Sequence, residues 1–160
     1  MNIKKAASEN LNEILAVYET ARTFMVKNGN PTQWSGGYPS KELLTEDIKS
    51  QRLYVLEEDG AIEGVFFFSK GPDPTYGYIK GGWINELPYS VIHRVASRGR
   101  KRGILKLIVD FCLELSDNIK IDTHKDNTVM QKALEKSGFI KCGIIYLENG
   151  EERIAYQVTK

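Results

Sequence analysis

Residues 89–114 read YSVIHRVASRGRKRGILKLIVDFCLE, and the change of rhythm within them decides the fold. Val91, His93, Val95 and Ser97 alternate with Ile92, Arg94, Ala96 and Arg98, with β-branched residues at the centre, which predicts a strand. Ile104, Leu105, Leu107, Ile108, Phe111, Cys112 and Leu115 then recur at helical spacing, which predicts an amphipathic helix. The turn between them is Arg98-Gly99-Arg100-Lys101-Arg102-Gly103. A helix N-terminus leaves backbone N–H groups unpaired and carries partial positive charge. Cations and glycines at that end suit a phosphate, because backbone without a Cβ can approach an anion closely. On these residues alone the turn is either an anion site or a solvated basic bend.

Working outward, Ile3 to Ala7 reads as a short strand. A first helix follows to about Lys27, opened by Asn10 and Glu13 as a capping box and stopped by Asn28-Gly29-Asn30-Pro31. Ser40 caps a second helix over 41–50, with Leu43, Leu44 and Ile48 inward. Strands at 53–57 and 61–69 flank Asp59-Gly60, a hairpin signal. Val65-Phe66-Phe67-Phe68 is apolar on both faces and predicts an interior strand. Residues 71–88 form a long irregular connection, a length that points to function, with possible strand only near Tyr78 to Trp83. Beyond the central helix come a strand at 119–124 and a helix capped by Asp126 or Asn127, with Met130, Ala133, Leu134 and Ser137 inward and Gly138 at its end. A closing hairpin turns at Asn149-Gly150. The two strands around the central helix are joined by a crossover and should be parallel.

At 160 residues, with 41% apolar and 27% charged residues, the chain reads as a single globular domain spanning 1–160. A net charge of +1 excludes a general nucleic-acid binder, whose surface would be basic throughout. Cys112 and Cys142 sit in apolar patterns and read as buried, reduced thiols of a cytoplasmic protein. No apolar run is long enough to span a membrane, so no membrane partner is expected. Two histidines and two cysteines lack metal-ligand spacing, and no metal is expected.

The ordered set HRVAS, the Arg/Gly turn with its helix, and IDTHKDNTVMQKALEKSGFIKCGIIY resembles the GCN5-related N-acetyltransferase (GNAT) superfamily over nearly the whole chain. The resemblance implies an α+β, three-layer fold: a mixed, mostly antiparallel sheet of about six to seven strands flanked by about four helices. It also implies acetyl-CoA as the ligand and acetyl transfer to an amine as the reaction. Against the family's pyrophosphate signature, Arg100-Lys101-Arg102-Gly103-Ile104-Leu105 keeps the first glycine as Gly103 and departs at Leu105. By this resemblance Val95, Ala96 and Ser97 present backbone to pantetheine, Arg98, Arg100, Lys101, Arg102, Gly103 and Ile104 surround the phosphates, and Asn127 contacts the coenzyme as well as capping its helix.

Transfer from a thioester to an amine sets further needs. An amine is mostly protonated near neutrality, so a base must take its proton. The leaving thiolate wants an acid, and the family's tyrosine for this falls here on Leu134. Tyr146 is the substitute acid candidate. His124, at the end of its strand, is the base candidate, since only histidine titrates near neutrality unaided; His93 reads as a structural histidine, and Arg94 as a charge at the sheet edge. Trp34, Tyr38, Tyr76, Tyr78 and Trp83 offer walls for the acceptor, with Glu86 and Asp73 as amine anchors. The expected acceptor is a small-molecule or peptide amine, and a homodimer through the closing hairpin is open. The competing function is a non-catalytic acyl-CoA sensor or interaction module with the same fold.

Overall fold

The computed structural model describes residues 1–160. In chain order its elements are β1 (Asn2–Lys5), α1 (Leu11–Lys27), α2 (Lys41–Lys49), β2 (Leu53–Glu58), β3 (Ala61–Lys70), β4 (Lys80–Gly81), β5 (Ser90–Ser97), α3 (Ile104–Leu115), β6 (Asn118–Thr123), α4 (Thr128–Lys136), β7 (Ile140–Tyr146) and β8 (Glu152–Thr159). Eight strands and four helices make an α+β chain, one strand richer than expected because β4 is only two residues long. The chain resolves into two compact units, residues 1–68 with 94–104, and residues 69–93 with 105–160.

In the first unit β1 pairs antiparallel with β2, and β2 with β3. The β2–β3 turn takes φ of +51° at Asp59 and +78° at Gly60, the left-handed pair that a two-residue hairpin needs. The core gathers Ile14, Tyr18, Leu44, Leu53, Leu56, Ile62 and Phe66, all fully buried. Ser40 caps α2 as expected, its Oγ accepting from the Leu43 N–H at 3.1 Å. The box expected at Asn10 and Glu13 does not form. A 3-10 turn over Ser8–Asn10 starts the helical path early, so the Asn10 side chain reaches back to the Ala7 N–H at 2.8 Å. Glu13 instead accepts from the Ile62 N–H at 2.8 Å.

In the second unit β5 and β6 are parallel, as the crossover requires. Their ladder holds only Ser90–Ile119 and Val91–Lys120 before it ends. β6 and β7 both pair antiparallel with β8, and β4 pairs with β7. The β4–β7 approach is possible because Gly81 and Gly143 face each other; a Cβ on either would meet backbone of the other strand. The long connection is ordered by buried amides. Gln157 donates to Asn118 Oδ1 at 2.7 Å, Asn118 donates to Asn85 Oδ1 at 2.9 Å, and the Ile84 N–H donates to Gln157 Oε1 at 2.8 Å. Buried amides joined in this way leave no donor to desolvate without a partner.

Helix α3 buries Ile104, Ile108, Val109 and Cys112, while Leu107 and Leu115 of the expected stripe are exposed. Helix α4 buries Leu134 fully, with Met130, Ala133 and Ser137 half-buried, and closes on Gly138 at φ +94° with the Phe139 N–H donating to the Leu134 carbonyl. Cys142 is half-buried, not buried. No helix is long and apolar enough to cross a membrane.

Candidate active site

The basic turn lies in the first unit, and three of its cations are engaged by carboxylates. Arg98 donates to Glu13 at 3.3 Å and to the Ile62 carbonyl at 2.9 Å. Arg100 grips buried Glu63 with both Nε and Nη2, at 3.2 and 2.7 Å. Lys101 pairs with Glu58 at 2.9 Å. Arg102 is exposed and forms no ion pair. Gly99 and Gly103 take φ of +81° and +73°, and a Cβ at either would meet nothing within 4 Å. The turn therefore fits a phosphate group by its open glycines and by the start of α3 right after Gly103, with Ile104 buried behind it. Arg98, Arg100 and Lys101 are held in place by their carboxylates, while Arg102 is the cation with charge to spare.

The strand leading to this turn is irregular. Arg94 takes φ +52°, a left-handed value in mid-strand that breaks the simple alternation expected for 91–98. Its carbonyl accepts from the Tyr18 hydroxyl at 2.6 Å. Its guanidinium lies 4.3 Å from the Phe67 ring centroid and pairs with Asp47. Arg94 is thus no free edge charge but a half-buried residue tied to Tyr18 and Asp47. Burial pushes the Tyr18 hydroxyl far above its ordinary range, so it stays a neutral donor. Within β5, Ala96 is buried and Val95 and Ser97 are half-buried; Ser97 Oγ accepts from the Gly99 N–H at 3.0 Å.

Asn127 lies in the second unit and caps α4, its Oδ1 accepting from the Met130 N–H at 3.1 Å. His124 shapes the approach to it: Nδ1 accepts from the Asp126 N–H at 3.0 Å, and the His124 carbonyl from the Asn127 N–H at 2.9 Å. Burial, and then the charge of Arg153, lower the pKa of His124. The ring is accordingly neutral with its proton on Nε2, and its basic lone pair is engaged by a backbone amide. That is the geometry of a donor; acting as a base would require a change of tautomer first. Tyr146 ends β7 half-buried, its ring 6.1 Å from that of Tyr78. Leu134, standing where relatives carry the acid tyrosine, is fully buried.

The acceptor candidates divide between the units. In the first, Trp34 is buried between Tyr18 and Tyr38, with ring centroids at 5.6 and 6.3 Å. It also lines a cavity of about 220 Å³ with Arg22, Met25, Asn30 and Pro31. In the second, the Trp83 ring packs 5.3 Å from Tyr76 and its N–H donates to the Tyr76 carbonyl at 3.1 Å. The Lys120 ammonium sits between the faces of Trp83 and Tyr89, at 4.0 and 3.9 Å. Glu86 is exposed.

A group that the sequence placed only in fragments is assembled here. His93 Nε2 is 2.8 Å from Asp73 Oδ2, and His93 Nδ1 is 4.0 Å from Asp122 Oδ2. The Tyr76 hydroxyl donates to Asp122 at 2.6 Å. Asp73 Oδ1 accepts from both the N–H and the hydroxyl of Thr75, at 2.9 and 2.7 Å. Burial alone would raise the Asp73 pKa, but the bonds from His93 and Thr75 outweigh it and bring it down to about 2. The sequence predicts that β5 and β6 are parallel but not their register; with Val91 opposite Lys120 in the structure, His93 and Asp122 fall at matching positions two residues on.

No family model matches the chain, and no curated protein matches it. Solved structures do. A GNAT-family acetyltransferase from Streptococcus agalactiae 2603 is 30% identical over 99% of this chain and 95% of its own, with a TM-score of 0.91. A GNAT-family acetyltransferase from Listeria monocytogenes 4b F2365 shares the fold at 19% identity, covering 99% and 94%, with a TM-score of 0.74. So does a ribosomal-protein-alanine N-acetyltransferase from Brucella melitensis, at 16% identity, full coverage of both chains and a TM-score of 0.68. These likenesses to acetyltransferases support an acyl-transferring protein. The chain belongs to the GNAT acetyltransferase family.

Proposed function

We propose that this protein transfers the acetyl group of acetyl-CoA to a primary amine of a small molecule or peptide by direct attack. The observation that carries this reading is the match, over 99% of the chain at 30% identity, to a GNAT-family acetyltransferase. The open turn before α3 and the asparagine cap of α4 support it from the residues. Arg102 and the amides at the start of α3 would bind the pyrophosphate. Backbone of Val95 to Ser97 would pair with pantetheine and offer an N–H to the developing oxyanion. Tyr146 would return a proton to the leaving thiolate, and Trp34, Tyr38, Trp83 and Glu86 would shape acceptor binding.

The test is titration calorimetry with acetyl-CoA and CoA, followed by an amine screen read as thiol release. Micromolar binding with amine-dependent release supports the transferase; no binding overturns it. One observation favours a second reading, a non-catalytic acyl-CoA sensor: Leu134, buried and apolar, cannot serve as the acid that relatives place there. Tight binding with no release across the amine panel would establish the sensor instead. The same preparations, run as soluble protein from the cytoplasm through sizing with light scattering, report whether the chain forms the homodimer proposed from its closing hairpin.

A further inference from the structure

The end of α1 and the turn after it line a cavity with an unanswered acceptor in its wall. Gly29, at φ +82°, stops the helix, and the bonds of a helix-closing turn follow. The Gly29 N–H donates to the Val26 carbonyl at 3.3 Å, and the Asn30 N–H to the Met25 carbonyl at 2.9 Å. These bonds fix Asn30 against the last turn of α1. Asn30 keeps only 3% of its surface. Its Nδ2 donates to Gln33 Oε1 at 2.9 Å, while its Oδ1 is buried with no hydrogen-bond partner. A buried oxygen left unpaired is uncommon, because it has lost its water and gained nothing in return. Asn30 lines the cavity of about 220 Å³ together with Trp34, Met25, Val26 and Pro31. The lining runs from buried Asn30 and Trp34 out to exposed Ser35 and Gly36, so the cavity is reachable from solvent. A Cβ at Gly36 or Gly37 would meet nothing within 4 Å, which leaves that end open.

The chemistry of the lining selects its occupant. The walls are mostly apolar, and one is the indole of Trp34, a flat surface suited to another ring. A cavity of about 150 Å³ is enough for benzene, so this one has room for two fused rings. No carboxylate lines it. Its one cation, Arg22, already donates to the Tyr38 carbonyl and to Glu19, both at 3.2 Å. An ammonium would be desolvated there beside a positive charge, so the occupant is not the amine that accepts the acetyl group. An anion would find the charge of Arg22 already met by Glu19. We propose that this cavity is a binding site for a neutral, flat ring compound that donates one N–H to Asn30 Oδ1 while its rings lie against Trp34. The site is made by α1 and the turn after it, and it stands whether or not the chain transfers acetyl groups. Trp34 then serves it as well as the acceptor wall proposed above.

The probes are indole, which carries the donor, and 1-methylindole, which has the same rings without it. Calorimetry on the wild-type chain, with no coenzyme added, should show indole binding about tenfold tighter than 1-methylindole, the difference one such hydrogen bond makes. In carbon-13 spectra of the methionine methyls, indole should shift Met25 and leave Met1 and Met130 in place. Asn30→Leu should hold 1-methylindole as wild type does and lose the preference for indole. Equal affinity of the two probes in wild type overturns the proposal. So does the absence of binding by either at millimolar concentration, or binding that shifts Met130 in place of Met25. Should Asn30→Leu fail to fold, the wild-type pair of affinities and the Met25 shift decide by themselves.

Discussion

Arg94 and Asp47 form a buried ion pair in which the guanidinium Nη2 and Nε approach the same carboxylate oxygen, Oδ2, at 2.8 and 2.9 Å. The side chains retain 11 and 5% of their surface, so both charges are largely withdrawn from water. Burial works against the Arg94 charge, and Tyr38 and Asp47 more than restore it. Removing one partner of such a pair leaves the other desolvated and uncompensated. Asp47→Ala should therefore cost about 3 kcal/mol or more in urea unfolding. A loss under 1 kcal/mol would mean that Arg94 reaches water when released.

The phosphate turn separates into cations that hold structure and one that does not. Arg100→Ala removes both bonds to buried Glu63, so it should lower the melting temperature as well as acetyl-CoA affinity. Arg102→Ala should leave the melting temperature within a degree of wild type and weaken acetyl-CoA several-fold, with a shallower salt dependence. Calorimetry at two salt concentrations, beside thermal melts, separates these effects; unchanged affinity in the Arg100/Arg102 double alanine would remove the turn from the coenzyme site.

Acid should act on Asp73. Its folded pKa of about 2 lies below the ordinary 3.8, so it contributes stability that is complete above about pH 4 and lost as pH falls toward 2. Asp73→Asn should flatten the wild-type loss of stability between pH 4 and 2; an unchanged slope there would exclude Asp73 as its source.

Gly143 stands where β4 crosses β7. A methyl group there would strike the Lys80 carbonyl oxygen. Gly143→Ala should unpair β4 and cost about 1–3 kcal/mol, with hydrogen exchange rising at Lys80 to Gly82 while β6 and β8 stay protected. Uniformly raised exchange would place β4 within the cooperative core.

What could be read from the sequence was what neighbours in the chain decide among themselves. Asp59, Gly60 and Gly150 turn the chain because they accept positive φ, and Ser40, Asn127 and Gly138 end helices through bonds to residues within five positions. The misreadings share the opposite cause. Glu13 was drawn from the Asn10 cap by the Ile62 N–H, 49 residues away. β4 is two residues long, too short for any periodicity, and exists through its pairing with β7. The left-handed Arg94 depends on Tyr18 and Asp47, and the His93 group on Asp73 and Asp122, none of which its own segment contains. The candidate coenzyme residues could be named because they follow one another in the chain; the His93 group could not, because its partners are supplied by another strand and a loop.

Arg94 also bears on transplantation. Its left-handed backbone is not stored in HRVAS but imposed by a hydroxyl from α1 and a carboxylate from α2. A chimera that carries residues 93–97 into a foreign scaffold without equivalents of Tyr18 and Asp47 would straighten into ordinary strand. Swapping the motif alone would transfer letters without the bend, so an engineered exchange of this strand must move those two helical side chains with it.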